Sequence, residues 1–230
     1  MMLSLSKKIV LSDRQMRRSS DYDRRLYMGD DLLERTVGIV GLGNVGSRLA
    51  ELCKGLFRMR VIAFDPYVAA DAMAAKGVEK AESLEAMLAQ ADYVSIHCPH
   101  TRETRGMMGA AQFAAMPRHA YFVTTARGGI HDEAALADAL KADKIAGAGL
   151  DVWEDEPPPH DHPLLAFDNV LASPHTAGIT RQSRYNIAKI AAEQMIDILD
   201  GKRPPRLLNP EVWPRYQDRF QSVLGFRPQD

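Results

Sequence analysis

The chain has 230 residues, 46% of them hydrophobic, which is enough for one substantial core with or without a further fragment. Its formal net charge is −1 and its sequence pI is about 6.7, which argues against nucleic acid as a partner. No apolar run approaches the roughly 20 residues of a membrane span. Two isolated cysteines, Cys53 and Cys98, have no metal-like spacing. We expect both to be buried and the protein to be cytoplasmic, a reducing compartment.

The first 20 residues are basic and contain several serines, a composition typical of a transit peptide but also of an amphipathic helix. The helix is favoured because Met2, Leu5 and Ile9 fall on one helical face and no small-residue cleavage site follows. A mitochondrial location is the alternative. We predict one N-terminal helix within residues 1–24, joined by a polar connector to the first strand.

Strand and helix signals then alternate, which predicts an α/β fold with a Rossmann-type, doubly wound parallel sheet flanked by helices over residues 25–180. The predicted strands are mostly uninterrupted apolar runs, as expected when both sheet faces are covered; they span residues 36–40, 60–64, 93–97, 120–124, 145–150 and 170–172, with a short one near Val78. Helices are predicted over residues 45–57, 69–76, 84–90, 110–116 and 133–141, with Ser83 and Asp132 as N-caps.

Residues 181–230 are predicted to form one more helix and a tail. The helix spans residues 181–199, and Gly201 followed by Lys-Arg-Pro-Pro is a stop signal. The tail is rich in proline and arginine and poorly periodic. Its aromatic side chains, Trp213, Tyr216 and Phe220, are expected to anchor it to a surface.

The most informative motif is the glycine turn that follows the first strand, Gly41-Leu-Gly43-Asn-Val-Gly46. In such a turn the first glycine allows the tight bend, the second lets backbone N–H groups approach a pyrophosphate, and the third lets the helix pack on the sheet. Asp65 ends the next strand, 19 residues after Gly46. Its carboxylate is suited to accept both ribose hydroxyls of NAD and to repel the 2′-phosphate of NADP. The pattern predicts an NAD site.

Three residues with complementary chemistry follow later predicted strands: Arg127, Glu156 and His175. The carboxyl ends of parallel strands line one crevice, so we expect these side chains to meet beside the cofactor. Hydride transfer to a 2-oxo acid needs a cation for the substrate, which Arg127 supplies, and a proton donor, for which His175 is suited. Glu156 would hold the imidazole. Asp151, at a strand end, is placed to bind the nicotinamide carboxamide.

These motifs, with His97-Cys-Pro-His-Thr and Pro174-His-Thr-Ala-Gly, resemble the D-isomer-specific 2-hydroxyacid dehydrogenase family over roughly residues 1–205. The resemblance implies Arg127 for substrate binding, His175 as proton donor and Glu156 as its partner. Formate dehydrogenases of the family carry Gln in place of Glu156, which argues against formate. The resemblance also implies a set of residues that contact NAD: Gly41, Gly43, Asn44, Val45, Gly46, Asp65, Cys98, Pro99, Thr104, Thr125, Ala126, Arg127, Asp151, His175, Thr176, Ala177 and Gly178.

Family members carry most of a substrate domain ahead of the first helix, and we expect this chain to hold only a remnant of that domain. The substrate cleft would then be open to water, which weakens catalysis. The resemblance places the first helix, residues 1–24, in a hinge or dimer interface, and residues 181–230 against a substrate domain. A homodimer acting on a small 2-hydroxy or 2-oxo acid is therefore expected. The alternative is an NAD-binding dimeric scaffold or regulator with little turnover.

Four further histidines are assigned structural roles. His160 and His162 lie close together, but no third ligand is near in sequence, so we predict a polar loop and no metal site. His97 and His100 flank the loop expected on the adenine side of the cofactor. Packing or hydrogen bonding is the expected role of both.

Overall fold

The computed structural model describes residues 1–228, in which the chain divides into two compact units between Ala177 and Gly178. This boundary lies three residues before the one we predicted at residue 180. The predicted N-terminal segment, residues 1–24, belongs to the first unit.

The first unit is built on a seven-stranded sheet in the order β3-β2-β1-β4-β5-β6-β7, with every neighbouring pair parallel. The predicted Rossmann-type α/β fold is confirmed. The order reverses between β1 and β4, which leaves a crevice at their carboxyl ends. Each strand lies within a predicted run or next to one, and three of them are one or two residues shorter than predicted. The strands are β1 Thr36–Val40, β2 Arg60–Phe64, β3 Glu79–Lys80, β4 Tyr93–Ile96, β5 Tyr121–Thr124, β6 Gly147–Leu150 and β7 Val170–Ala172.

Helices cover both faces of the sheet, which explains why the strands are apolar on both sides. One core contains side chains of α1, α3 and α4, and the other contains side chains of α5, α6 and α7. Ser83 and Asp132 cap α5 and α7 as predicted, each accepting a backbone N–H two or three positions into the helix. The helices are α1 Met2–Ser6, α2 Ile9–Arg18, α3 Asn44–Phe57, α4 Ala70–Ala74, α5 Leu84–Leu88, α6 Ala110–Ala115 and α7 Glu133–Lys141.

The N-terminal segment contains two helices, where we predicted one. Lys8 has a φ of 49°, a left-handed conformation that separates α1 from α2. The break lets α1 pack on the sheet, where Leu5 is buried and its methyl lies near Gly149. Helix α2 has no fully buried residue. The apolar spacing of Met2, Leu5 and Ile9 is compatible with a continuous helix and does not reveal the backbone turn at Lys8. The prediction of a single helix is therefore wrong.

The second unit contains the predicted helix, α8 Arg181–Leu199, and an additional helix, α9 Trp213–Leu224, which we did not predict. Trp213 and Phe220 are buried within this unit, so they form a small core rather than anchor a loose tail. The hydroxyl of Tyr216 donates to the carbonyl of Ile198. Gly201 follows α8 with a φ of 79°, consistent with the predicted stop. Among residues 1–228, no helix combines the length and apolar character that crossing a membrane requires.

Candidate active site

The glycine turn has the geometry that the motif predicts. Gly41 follows β1 with a φ of 89°, and a Cβ there would lie 2.7 Å from the backbone nitrogen of Cys98. A Cβ on Gly46 would lie 2.1 Å from the carbonyl oxygen of Gly41, so the helix packs directly on the turn. Gly43, by contrast, has no atom within 4 Å of its ideal Cβ position. That side of the turn is open, and Asn44 and Val45 begin α3 beside it.

Asp65 lies immediately after β2, next to the glycine turn. One carboxylate oxygen accepts the backbone N–H of Leu42 at 2.8 Å, and the other accepts that of Tyr67 at 2.9 Å. The carboxylate is therefore fixed at the end of the strand by two backbone donors. The predicted position of this acid beside the turn is correct, and its predicted contact with a ribose stays a prediction.

A cleft of about 540 Å³ opens at the carboxyl ends of β1, β2 and β4. Its lining includes six of the residues predicted to contact NAD and adds several that were not among the predicted contacts. The predicted members are Gly41, Gly43, Asp65, Cys98, Pro99 and Thr104; the additional members include Phe64, Tyr67, Thr101, Glu103 and Met107.

Cys53 is buried, as predicted, whereas Cys98 is only half-buried. Cys53 lies on α3, and Cys98 follows β4 in the wall of the cleft. Burial raises the pKa of each thiol to about 11, so both are neutral at physiological pH.

The histidines of the loop after β4 lie on different sides of the crevice. His97 lines the cleft, and its Nε2 is 2.9 Å from the hydroxyl of Ser95. Burial lowers the pKa of His97 to about 4. His100 lies in a second depression, beside Gly129. This location differs from the predicted one, which was beside the adenine side of the cofactor. The loop between them therefore borders two sites.

The second depression, of about 520 Å³, brings the three predicted catalytic residues together at the ends of β5, β6 and β7. Nδ1 of His175 lies 2.7 Å from Oε2 of Glu156, and this hydrogen bond holds the pKa of the Glu156 carboxyl below its usual range. Arg127 lies in the same lining, with its side chain exposed. Two further basic residues that the sequence analysis did not assign to the catalytic site, His100 and Arg105, also line this depression.

Asp151 holds the loop that carries His175. This carboxylate is 1% exposed and accepts the Ser173 hydroxyl at 2.5 Å and the backbone N–H groups of Thr176 and Ala177 at 2.8 and 2.9 Å. The Asp151 carbonyl also accepts the His175 N–H at 2.7 Å. His175 has a φ of 53°, a conformation unusual for a residue with a side chain, and these bonds stabilise it.

Glu156 lies in a loop that is held in a similar way. Its second carboxylate oxygen accepts the N–H of Trp153 at 3.1 Å, and the indole of Trp153 donates to Ser173. Glu133, at the start of α7, accepts the N–H of Glu154 at 2.8 Å and lies 3.0 Å from Nε2 of His162. His162 lies in the predicted polar loop, where its half-buried imidazole is the partner of this carboxylate. In the described part of the chain, no group of three His, Cys, Asp or Glu is arranged to hold a metal.

The remaining predicted contacts surround these loops. Thr125 and Ala126 follow β5 and lead to Arg127, whose guanidinium donates to the Ala126 carbonyl at 2.6 Å. Gly178 is the first residue of the second unit.

Comparison with known proteins decides the family. Residues 1–177 match the model of the "D-isomer specific 2-hydroxyacid dehydrogenase, NAD binding domain". This chain belongs to the D-isomer specific 2-hydroxyacid dehydrogenase family. The match ends at Ala177, where the first compact unit ends, so that unit is the family's NAD-binding domain.

Relatives of this dehydrogenase domain have similar sequences but are longer. D-3-phosphoglycerate dehydrogenase of Archaeoglobus fulgidus is 42% identical over 98% of this chain and 42% of its own length. Glyoxylate reductase of Korarchaeum cryptofilum is 40% identical over 92% of this chain and 64% of its own length. The chain therefore spans about two fifths to two thirds of these relatives.

Solved structures of the family share the fold. D-lactate dehydrogenase of Lactobacillus jensenii, solved with NAD⁺, superposes with a TM-score of 0.79 at 28% identity, over 89% of this chain and 64% of that one. The holo form of Rhodotorula graminis D-mandelate dehydrogenase gives a TM-score of 0.82 at 27% identity, over 89% of this chain and 61% of that one. The cofactor prediction, NAD, is confirmed at the level of the domain.

Proposed function

We propose that this chain carries the cofactor and acid–base machinery of an NAD-dependent oxidoreductase that transfers a hydride between NAD(H) and a small 2-hydroxy or 2-oxo acid. The observation that supports this most directly is the 2.7 Å contact between His175 and Glu156 in the depression that also holds Arg127. An imidazole, its carboxylate partner and a guanidinium are the groups that such a reaction requires.

The proton chemistry follows from which imidazole nitrogen is engaged. Glu156 accepts from Nδ1 of His175, which leaves Nε2 free to face a substrate oxygen. Before reduction, Glu156 stabilises the protonated imidazole of His175. During reduction, Nε2 donates its proton to the carbonyl oxygen of the substrate, which becomes the hydroxyl. The guanidinium of Arg127 holds the substrate carboxylate. Bound NADH supplies the hydride. Oxidation of the hydroxy acid returns the proton to the same nitrogen.

The residues of the first cleft fit a dinucleotide. The open space beside Gly43 and the N-terminus of α3 suit a pyrophosphate, and the Asp65 carboxylate lies at the end of β2, where a ribose would be held. Asp151 remains our proposed contact for the nicotinamide carboxamide.

The experiment compares NADH binding with turnover. NADH binding is followed by fluorescence, and NADH oxidation is measured with glyoxylate, hydroxypyruvate and pyruvate. We expect the chain to bind NADH and to show slow turnover that His175→Ala abolishes without weakening NADH binding. The variant His160→Ala, at an exposed histidine outside the site, is the matched control and should match the wild type. Turnover unaffected by His175→Ala would refute the assigned acid.

A second candidate is an NAD-binding scaffold or regulator with little turnover. The side chains of His175 and Glu156 are 44% and 37% exposed, and an acid–base pair in contact with water loses much of the advantage of a closed site. NADH binding without oxidation of NADH by any of the three acids would favour the scaffold. Brisk turnover abolished by His175→Ala would exclude it.

We also propose that the chain forms a homodimer in the cytoplasm, with residues 1–24 at a dimer or hinge interface and residues 181–230 packing on a substrate domain. Exposed apolar side chains on α2 and α8, Met16 and Ile187 among them, support association. The two unpaired cysteines suit a reducing compartment. Light scattering of the purified chain tests the dimer, and a monomeric mass would refute it.

A further inference from the structure

The mouth of the cofactor cleft is bridged by a side-chain hydrogen bond. Tyr67, two residues beyond Asp65, belongs to the lip after β2, and Glu103 belongs to the lip after β4. The Tyr67 hydroxyl donates to Oε2 of Glu103, so the two lips are joined across 36 residues of sequence. Both side chains also line the cleft, so whatever lies in the cleft lies beside the bridge.

Each end of the bridge is fixed by its own backbone. The N–H of Tyr67 donates to Asp65 at 2.9 Å, the same carboxylate that accepts from the glycine turn. On the opposite lip, the N–H of Glu103 donates to the Thr101 hydroxyl at 3.2 Å. The Thr104 hydroxyl closes that loop by donating to the Pro99 carbonyl at 2.6 Å and accepting the Thr101 N–H at 2.8 Å. The two lips are therefore held in place before the bridge forms, which reduces its entropic cost.

Burial does not account for the position of Tyr67. The residue is 79% exposed, so its ring contributes little to the core, yet its hydroxyl is paired with a carboxylate. The interaction with Glu103 raises the pKa of Tyr67, with Asp65 adding a smaller effect in the same direction. The phenol therefore stays protonated and remains a donor at physiological pH.

We propose that Tyr67 and Glu103 form a clasp across the adenine–ribose end of the cleft, which slows the dissociation of a bound dinucleotide. This proposal rests on the nucleotide-binding role of the cleft. The apolar lining, with Phe64 and Met107, suits a planar base, and both partners of the clasp belong to the same lining. Glu103 also adds a second negative charge to the rim that holds Asp65, so the clasp disfavours a 2′-phosphate.

Two substitutions separate the hydrogen bond from the charge. Tyr67→Phe removes the donor and keeps the ring and the carboxylate. Glu103→Gln keeps an acceptor for the phenol and removes the charge. Loss of the clasp should raise the NADH dissociation rate of Tyr67→Phe about 3- to 10-fold, with the association rate within about twofold of the wild type. Glu103→Gln should have a smaller effect on NADH dissociation and should be the variant that relaxes rejection of NADPH.

The measurement is stopped-flow fluorescence of NADH and NADPH with the wild type, Tyr67→Phe, Glu103→Gln, Glu103→Ala, which removes the acceptor altogether, and the double variant of Tyr67→Phe and Glu103→Ala. Tyr185→Phe, at a 68% exposed tyrosine of α8, is the matched control and should leave all rates unchanged. A clasp requires that Tyr67→Phe has little further effect once Glu103 has been replaced by Ala, because the partner is then gone. Effects that simply add in this double-mutant cycle, or an unchanged dissociation rate in Tyr67→Phe, would overturn the clasp while leaving the nucleotide site intact. Failure of the wild type to bind NADH would overturn both.

Discussion

Gly43 and Gly46 of the turn after β1 have opposite surroundings, so substituting each of them separates an effect on folding from an effect on NADH binding. Gly43 has no atom within 4 Å of its ideal Cβ position and a φ of −72°, which any residue can adopt. We expect Gly43→Ala to leave the free energy of unfolding unchanged and to weaken NADH binding at least about tenfold, because the methyl group occupies the space proposed for the pyrophosphate. Urea unfolding and NADH fluorescence titration measure the two effects.

The controls lie on the helix that follows. Gly46→Ala would place a Cβ 2.1 Å from the Gly41 carbonyl oxygen, so it should lose stability as well as NADH binding. Gly55→Ala, in the same helix and with open space around it, should stabilise the protein by about 0.5–1 kcal/mol and leave binding intact. If Gly43→Ala bound NADH as tightly as Gly55→Ala, the pyrophosphate would lie elsewhere.

Asp151 is a second residue whose role can be tested through stability. Its buried carboxylate accepts three donors, from Ser173, Thr176 and Ala177. An Asn side chain has one oxygen, so Asp151→Asn leaves a buried donor facing an amide N–H and should cost about 1–3 kcal/mol of unfolding free energy. The measurement is urea unfolding followed by fluorescence in a Trp213→Phe background, in which Trp153 is the one tryptophan.

The control for Asp151 is an exposed aspartate in the same unit. Asp161→Asn should leave stability within about 0.5 kcal/mol of the wild type. If Asp151→Asn were equally harmless, the three hydrogen bonds would not be what holds the His175 loop.

For individual residues, the sequence predicted which side chains gather at one edge of the sheet better than it predicted their individual contacts. The types and order of Arg127, Glu156 and His175 predicted that they would converge, because each follows a parallel strand. Glu133 and His162 are 29 residues apart and meet only because of the path of a loop. No periodic pattern encodes such a path, so the sequence predicted the polar loop that holds His162 but not the carboxylate that pairs with it.

At the scale of elements, the aromatic core of the second unit gives the next prediction. Phe220 is 6% exposed and packs against Tyr216 and Phe226, with ring centroids 5.5 and 5.0 Å away. Phe220→Ala leaves a cavity and should destabilise the second unit by about 3 kcal/mol. Limited proteolysis should then cleave α9 faster, and Val223→Ala, at a 70% exposed position of the same helix, should be cleaved at the wild-type rate.

The first unit provides the internal reference for this experiment. The cleft proposed to hold NADH lies entirely in the first unit, so NADH binding should largely survive in Phe220→Ala if the two units fold separately. Equal rates of cleavage in Phe220→Ala and Val223→Ala would show that α9 is not held by this aromatic core.

Helices and strands could be predicted from the sequence where one hydrophobic pattern runs along the whole element. The β-strands are apolar runs buried on both faces, and their positions in the sequence follow from burial alone. Helix α9 is not predicted from the sequence although Trp213, Tyr216 and Phe220 have helical spacing, because Pro214 and the arginines around it are also typical of an irregular tail. Proline is favoured in the first turn of a helix, where its missing N–H has no partner to lose. The break at Lys8 has no sequence signal of this kind.

At the scale of the whole molecule, buried imidazoles make the protein sensitive to mild acid. Burial lowers the pKa of His97 to about 4, against about 6.5 in an unfolded chain, and burial lowers the pKa of His131 as well. The folded state then binds fewer protons than the unfolded state between these values. Stability therefore rises with pH across this range and is lost progressively as the pH falls from about 6.5 towards 4.

The size of this effect can be measured at His97. A shift of this size corresponds to about 1–3 kcal/mol, the lower part of the range allowing for the partial exposure of the imidazole. We expect the loss of unfolding free energy between pH 7 and pH 4.5 to be smaller by that amount in His97→Gln, whose amide can still bond the Ser95 hydroxyl. Carboxylates such as Glu156 lose their contribution mainly below this range, because their pKa values are depressed.

Replacing an exposed histidine controls for the loss of an imidazole as such. His160→Gln should retain the acid sensitivity of the wild type, because the side chain of His160 is exposed. Urea unfolding at pH 7 and pH 4.5 gives the required difference for each variant. If His97→Gln lost as much stability as the wild type between these pH values, the imidazole would be reached by water in the folded state. The wall of the cleft around His97 would then be more accessible to water than the structure shows, and a neutral imidazole would not be a fixed part of the nucleotide site.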